Sequence, residues 1–284
     1  MSHSRRIAYV KGWIGACHPY PLAMVVCLTA LIGLALAGDS LDWYRFLRLL
    51  LAMFYSQLAI GWSNDFIDRE SDAVHQPWKP IPMGAVDAML LQWAIVVALI
   101  ASALEALSLG LAPFLLLVAG TAAGLAYNAG IKSTRFSAVP FIVAFAVLPP
   151  FVWISLDVYR DEFLLLYPIG APLALAAHLA NQLPDLEADS AAGRNNIVVT
   201  LGRRRTLACI FLTLLAPFIA LDISLIWLHY DPASLSATLV VYVSLIVAVG
   251  LIYARANDRD GYVWAFRLVA LAAVLFAGGW LAAV

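Results

Sequence analysis

Two short acidic clusters hold the residues of this sequence whose types and spacing could do chemistry. The first, at positions 64–72, reads NDFIDRESD, and the second, at positions 181–189, reads NQLPDLEAD. Asn, Asp, Glu and Asp recur at the same offsets in both. The chain is 63% hydrophobic, and carboxylates beside a bilayer are costly unless they are paired or bind a metal. We therefore expect the clusters to bind Mg²⁺ and, through it, a diphosphate.

The spacing within each cluster places three oxygen-bearing side chains in a row, because residues four apart share one face of a helix. Mg²⁺ is usually bound by one or two carboxylates together with phosphate oxygens and water. Two rows facing each other across a bundle could therefore hold a diphosphate through Mg²⁺. The alternative, a pair of solvated helix ends, explains neither the repeated asparagine nor the fixed spacing. The rows are Asn64, Asp68 and Asp72 in the first cluster and Asn181, Asp185 and Asp189 in the second.

Basic side chains near the clusters are candidates for phosphate contact, since Mg²⁺ alone need not neutralise a diphosphate. Lys132 and Arg194 have the most favourable positions, one at the end of an apolar stretch and one just after the second cluster. Each candidate could instead be an anchor at the lipid headgroups. Asp65 has no counterpart in the second cluster, where Gln182 stands. The four basic candidates are Arg69, Lys79, Lys132 and Arg194.

The composition predicts the elements that must position these residues. A chain of 284 residues with a mean hydropathy of +0.88 and only 12% charged residues is typical of a polytopic membrane protein. A spanning helix needs about 20 mostly apolar residues. Nine such stretches predict an all-α, polytopic helical bundle that forms a single domain over residues 1–284. The stretches are 17–37, 44–63, 88–109, 111–130, 136–156, 163–181, 206–228, 235–254 and 262–283.

The distribution of basic residues predicts the orientation of this bundle. Most Lys and Arg of the short loops fall on one side if the N-terminus is cytoplasmic, and both acidic clusters then face the cytoplasm. We read the first apolar stretch as a membrane helix and not as a cleaved signal. We therefore expect an integral membrane protein of a bacterial-type cell membrane. The net charge of −1 suggests no nucleic-acid partner, and the sequence gives no evidence of an obligate protein partner.

The two clusters also suggest an internal repeat. Each follows the cytoplasmic end of an even-numbered stretch, the second and the sixth, and each leads into a polar loop. Offset, order and location agree, so we infer an internal duplication of a four-helix unit. Chance similarity is the alternative, because only part of each cluster matches the other.

The motifs together resemble those of the UbiA superfamily of intramembrane prenyltransferases. The resemblance rests on the first cluster, on the pair Asp185 and Asp189 followed by the run 191–194, and on Tyr127 with Lys132 between them. It covers essentially the whole chain. It implies a helical bundle around a central cavity, and Mg²⁺-dependent ionisation of a polyprenyl diphosphate donor whose prenyl group passes to a hydrophobic acceptor. The departure is Gln182, where many relatives carry a further aspartate.

The resemblance also implies roles for individual residues. Asn64, Asp68, Asp185 and Asp189 would hold Mg²⁺, with Asp72 assisting. Asp68 and Asp185 would thereby be catalytic. Lys132 would contact phosphate and assist catalysis, and Asp65 would act as a base or orient the acceptor. With the candidates named above from charge and spacing, the predicted substrate-binding residues are Asn64, Arg69, Lys79, Tyr127, Lys132, Asn181 and Arg194.

Three other functions compete with this interpretation. A terpene cyclase on the same scaffold would ionise the same donor but capture the cation with the donor's own double bonds. An ion or phosphate transporter would need polar residues deep inside several spans, and few are present. A CDP-alcohol phosphotransferase would need one compact aspartate-rich motif, whereas the two clusters lie far apart in this chain.

Overall fold

The computed structural model describes the backbone of residues 3–256 and 258–284. These residues form helices and turns, with no strand among them. Eleven α-helices follow one another: α1 His3–Ala16, α2 Pro19–Ala37, α3 Trp43–His75, α4 Ala88–Leu109, α5 Leu111–Asn128, α6 Ala138–Leu156, α7 Leu166–Gln182, α8 Leu186–Ala191, α9 Ile197–Ser224, α10 Pro232–Arg255 and α11 Arg259–Ala283.

Nine helical segments within the described ranges are long and apolar enough to span a bilayer: α2 to α6, the segment Asp161–Ala191 that contains α7 and α8, and α9 to α11. The predicted polytopic helical bundle is therefore confirmed. Local signals set several boundaries. Asp87 caps α4 by accepting a hydrogen bond from the Leu90 amide at 2.8 Å, as N-terminal caps do. Gly110, with φ of 132°, alone separates α4 from α5, which is the hairpin expected from the sequence.

Three boundaries differ from the sequence-based expectation. Helix α1 precedes the first span and was not expected. Helix α3 runs to His75, well past the predicted end at 63, so the first acidic row lies on one continuous helix. Helix α9 begins at Ile197, before the predicted 206, because it continues across a kink at Gly202, where φ is 72°.

The predicted helical row in the second cluster is wrong in its geometry. Helix α7 ends at Gln182, and a 3₁₀ turn over Leu183–Asp185 precedes the short α8. Pro184 lies in that turn, and a proline cannot donate the backbone hydrogen bond that a continuing helix requires. The second row is therefore spread over the end of α7, the 3₁₀ turn and α8, and not over one helix face.

The helices surround a central cavity. Sequential hairpins pack as neighbours, and α11 packs against both α2 and α7. The short turn between α1 and α2, residues 17–18, is called the joint. Gly61 lets α3 approach this joint closely, because a Cβ at Gly61 would lie 2.7 Å from the Cys17 carbonyl oxygen. His18 occupies that joint with a left-handed φ of 50°. This close approach brings the joint beside the first acidic cluster.

Candidate active site

A cavity of about 500 Å³ lies among α2, α3, α5, α6, α7 and α11. This volume is within the range of small-molecule sites. One end of the cavity, which we call the polar end, is lined by charged and amide side chains. The other, the apolar end, includes Met53, Leu117, Phe145, Leu148 and Phe151. The polar end comprises Asn64, Asp68, Lys79, Lys132, Asn181, Gln182, Asp185, Asp189, Arg194 and Arg259.

The first acidic row meets Lys132 at the polar end. The Lys132 ammonium donates hydrogen bonds to Asn64 Oδ1 at 3.0 Å and to Asp68 Oδ2 at 2.5 Å. Lys132 is presented by a 3₁₀ turn, Ile131–Ser133, directly after α5. Because Asn64 and Asp68 are one helical turn apart on α3, a single ammonium reaches both. The structure thus brings the first row together with a cation that the sequence singled out separately.

Asp65 and Asp72 form a second, buried group with Lys79. The Lys79 ammonium lies 3.1 Å from Asp65 Oδ1 and 2.8 Å from Asp72 Oδ2. Nε2 of His18 lies 3.0 Å from the same oxygen of Asp65. The two aspartates are only 3% and 4% exposed and are not part of the cavity wall, whereas Lys79 and His18 line it. Asp72 therefore does not lie with Asn64 and Asp68 in the cavity.

The charge of Lys79 is stabilised by this arrangement. Burial alone would lower the pKa of Lys79, but the carboxylates of Asp65 and Asp72 outweigh it and raise the pKa above the ordinary 10.5. Lys79 lies in the turn-rich loop between α3 and α4. The ion pairs therefore fasten this loop to α3 beside the polar end.

The second acidic row reaches the same cavity from another wall. Asp185 accepts a hydrogen bond from Arg259 Nε at 3.0 Å. Asp189 accepts one from Arg194 at 2.9 Å and another from Asn196 Nδ2 at 2.7 Å. Asn196 also caps α9, so it links the start of that helix to the acidic row.

Gln182 supports the site from outside the two rows of oxygen ligands. Its Nε2 donates hydrogen bonds to the Lys132 carbonyl oxygen at 3.0 Å and to Tyr127 Oη at 3.4 Å. Its Oε1 accepts a hydrogen bond from Ser137 Oγ at 3.3 Å. The residue that departs from the family pattern thus joins the second cluster to the loop that carries Lys132.

Arg69 is a third predicted site residue, after Asp65 and Asp72, that lies outside the cavity wall. It donates a hydrogen bond to the Phe66 carbonyl oxygen at 2.7 Å and lies over the Phe66 ring. Tyr127 and Asn181, which are predicted to bind substrate, line the cavity.

Sequence reasoning missed Arg259, Asn196 and the supporting role of Gln182. Arg259 follows the N-cap Asp258 of α11 and is distant in sequence from Asp185. No local pattern in the sequence pairs Arg259 with Asp185. Asn196 could have been found as an N-cap, since asparagine before an apolar run is a helix-start signal.

The oxygen donors at the polar end fit Mg²⁺. Asn64 and Asp68 on one wall and Asp185 and Asp189 on another supply hard oxygen ligands at one cavity end. Among the described residues, no three His, Cys, Asp or Glu side chains converge into a closed metal cluster. Mg²⁺ commonly takes few protein carboxylates and completes its shell with phosphate oxygens and water. Two separate pairs are therefore suited to Mg²⁺ that is shared with a diphosphate.

Comparisons with known proteins agree with this geometry. The model of the UbiA prenyltransferase family matches residues 26–271. A digeranylgeranylglyceryl phosphate synthase from Korarchaeum cryptofilum is 28% identical over 72% of this chain and 71% of its own length. A 1,4-dihydroxy-2-naphthoate octaprenyltransferase from Haemophilus influenzae is 29% identical over 59% of this chain and 61% of its own.

Solved structures share the fold. A UbiA homologue from Archaeoglobus fulgidus, solved with DMAPP and Mg²⁺, superposes with a TM-score of 0.71 at 17% identity, covering 95% of this chain and 99% of that one. A homologue from Aeropyrum pernix gives a TM-score of 0.73 at 15% identity, covering 90% of this chain and 96% of that one.

Proposed function

Because the chain belongs to the UbiA prenyltransferase family, we propose that it ionises a polyprenyl diphosphate with Mg²⁺ and transfers the prenyl group to a hydrophobic acceptor. The observation that carries this proposal is the division of one cavity. Oxygen donors and cations line its polar end, and aliphatic and aromatic side chains line its apolar end. A prenyl diphosphate has the same two-part character, with a highly charged head and an apolar tail.

Asn64, Asp68, Asp185 and Asp189 would hold Mg²⁺ in this proposal. When bound, Mg²⁺ neutralises the negative charge that develops on the departing diphosphate. Lys132 and Arg194 are hydrogen-bonded to members of the two acidic rows, so each is placed to contact phosphate oxygens beside the metal. Charge-assisted hydrogen bonds of this kind are stronger than neutral ones.

All but one of the remaining residues of the predicted site have supporting roles. Asp72 acts through Lys79, which reaches the cavity while Asp72 does not. Asp65 likewise acts through His18, whose ring it contacts at 3.0 Å. Asn181 and Tyr127 complete the polar end, and Arg69 has no direct contact with the cavity.

The apolar end would keep water away from the reactive intermediate. Aliphatic and aromatic walls exclude water from an allylic cation, which limits its hydrolysis. The acceptor class is aromatic or lipid-like, and the similarity to both a naphthoate prenyltransferase and a glyceryl phosphate synthase is consistent with either. The protein is an integral membrane protein, and we place its N-terminus and polar end on the cytoplasmic side, in a bacterial-type cell membrane.

The test is Mg²⁺-dependent release of diphosphate by detergent-purified protein from prenyl diphosphates of C10 to C20 and longer. Reactions with and without a mixture of aromatic and lipid acceptors are compared by mass spectrometry. Asp68→Asn should abolish release. Glu70→Gln is the matched control, because Glu70 lies in the same cluster with an 86% exposed side chain, and it should retain activity.

Each outcome has a defined meaning. Prenylated acceptor formed only with Mg²⁺ supports the transferase. Formation of a cyclic hydrocarbon without an acceptor would contradict the transferase and identify the protein as a terpene cyclase on the same scaffold. Equal activity in the Asp68→Asn and Glu70→Gln variants would contradict the assignment of the first acidic row.

A further inference from the structure

His18 lies on the cavity wall and has one ring nitrogen without a hydrogen bond to the described residues. Its side chain is 35% exposed, whereas Asp65 behind it is buried and lies outside the wall. Lys79 and His18 Nε2 contact the same oxygen of Asp65, at 3.1 Å and 3.0 Å. An ammonium only donates, so this oxygen is an acceptor and Nε2 carries the proton of the neutral ring. Nδ1 therefore keeps a free lone pair.

The backbone of His18 is held in an uncommon conformation. Its φ of 50° and ψ of 65° are left-handed, a region that residues other than glycine seldom adopt. The His18 amide donates a hydrogen bond to the Gly15 carbonyl oxygen at 3.1 Å, and its carbonyl oxygen accepts one from the Leu22 amide at 3.2 Å. The close approach at Gly61 holds the joint against α3. Backbone strain of this kind clusters at functional sites, where the surrounding contacts maintain it.

The carboxylates and cations of the cavity wall are engaged with one another. Asp68, Asp185 and Asp189 each pair with a basic side chain and are the residues proposed to hold Mg²⁺. Charged lysine and arginine side chains have no lone pair to accept a proton. The thiol of Cys17 donates to a backbone carbonyl oxygen. His18 is the one histidine among the described wall residues, and imidazole is the commonest general base in enzymes.

Prenyl transfer to an acceptor releases a proton that such a base can take. The acceptor's oxygen or ring carbon forms a bond to C1 of the prenyl group, and the bond between C1 and the diphosphate oxygen breaks. The electron pair of that bond leaves with the diphosphate. The acceptor then loses one proton, from its hydroxyl or from the alkylated ring carbon. A fixed base is needed for this proton, because the apolar end excludes water.

We propose that His18 is the general base of the transfer step and takes the acceptor's proton on Nδ1. The inference rests on the proposed function, because it assumes that a prenyl diphosphate and an acceptor share the cavity. The carboxylate of Asp65 holds the ring and stabilises the imidazolium that forms, as a carboxylate does in other histidine bases. The proton passes to solvent once the product leaves. His18 thereby gives buried Asp65 a part in the chemistry, although Asp65 does not reach the cavity.

The experiment compares product formation by His18→Asn and by the unmodified protein, with the donors and the acceptor mixture of the assay above. Asparagine tolerates a left-handed backbone and can still donate to Asp65, but it has no basic nitrogen. The rate of product formation should fall about 100-fold, while the Mg²⁺-dependent affinity for the donor stays unchanged. His75→Asn is the matched control, because His75 is exposed at the end of α3 and lies outside the cavity wall. It should retain activity.

His18→Gly separates a base from a merely structural side chain. Glycine adopts a left-handed φ freely, and the space left by the ring can admit imidazole from solution. Added imidazole should raise product formation by this variant in proportion to its concentration, and it should leave His75→Asn unaffected. Equal rates for His18→Asn and the unmodified protein would overturn the inference, as would a loss in His18→Gly that imidazole does not reduce. Absence of prenylated product from the unmodified protein would instead contradict the proposed function.

Discussion

Gln182 fixes the backbone of Lys132 by donating a hydrogen bond to its carbonyl oxygen at 3.0 Å. The two residues are far apart in sequence, and each belongs to a different predicted motif. Their contact means that the second acidic cluster controls the position of the cation that faces the first. The glutamine is therefore a connection between the two halves of the site and not simply a lost metal ligand.

Replacing Gln182 by Met should lower diphosphate release about ten-fold, because loss of this buried hydrogen bond costs about 1–3 kcal/mol. The apolar side chain has a similar size but cannot hold the Lys132 carbonyl. The decisive measurement is kcat and KM for the donor, with melting temperature as a check on folding. Ser137→Ala is the control, since Ser137 contacts Gln182 but is hydrogen-bonded to its other side-chain atom. Equal losses in both variants would argue for a general packing defect.

Replacing Lys132 by Met should lower kcat about 100-fold, as removal of one preorganised charge-stabilising donor commonly does. Arg135→Met provides the comparison, because Arg135 follows in the same loop but lies against the Phe136 ring. The measurement is kcat of the two variants in steady-state assays of diphosphate release. Similar activity in the two variants would show that Lys132 is a membrane anchor.

Replacing Lys79 by Met should destabilise the protein by about 3 kcal/mol, since it leaves two buried carboxylates without their cation. Adding Asp72→Asn to this variant should recover part of the loss, which thermal unfolding in detergent can measure. A melting temperature close to that of the unmodified protein would contradict the assignment of Lys79 as a structural tie.

The pH dependence of this contribution follows from the raised pKa of Lys79. A cation whose pKa is higher in the folded state stabilises the fold fully below its unfolded value. The stabilisation is therefore present at neutral pH and is lost only as pH rises above about 10.5. Thermal unfolding between pH 7 and 9 should show no loss from this group.

Removing divalent metal with a chelator should abolish diphosphate release while changing the melting temperature little. Asp68, Asp185 and Asp189 each have a basic partner within hydrogen-bonding distance, so their charges do not depend on metal for compensation. Adding back Mg²⁺ should restore activity. A large fall in melting temperature on chelation would show that metal also supports the fold.

Much of the architecture could be predicted from the sequence because apolar length directly sets the number of spans. Five of the six row residues line one cavity, namely Asn64, Asp68, Asn181, Asp185 and Asp189, whereas Asp72 pairs with Lys79 outside it. The duplication of a four-helix unit stays a prediction. The break in the second row was foreseeable from Pro184 alone, since proline disfavours a continuing helix.

The partners of these residues could not be read from the sequence. Whether a lysine meets Asp68 or Asp72 depends on how a loop folds back onto α3, and local spacing carries no information about that. In the structure Lys132 forms an ion pair with Asp68, and Lys79 forms one with Asp72. Arg259 illustrates the same limit, because only the packing of α11 against α7 brings it to Asp185.

The packing of α11 also has a consequence for the order in which the enzyme is built. This helix follows the other ten in the chain, yet it packs against α2 and α7 and supplies Arg259, Phe266 and Ala270 to the cavity wall. A nascent chain emerges N-terminal segment first. Both acidic rows are therefore synthesised before the wall that closes around them. Until α11 is synthesised, the cavity therefore lacks this wall and the cation that pairs with Asp185.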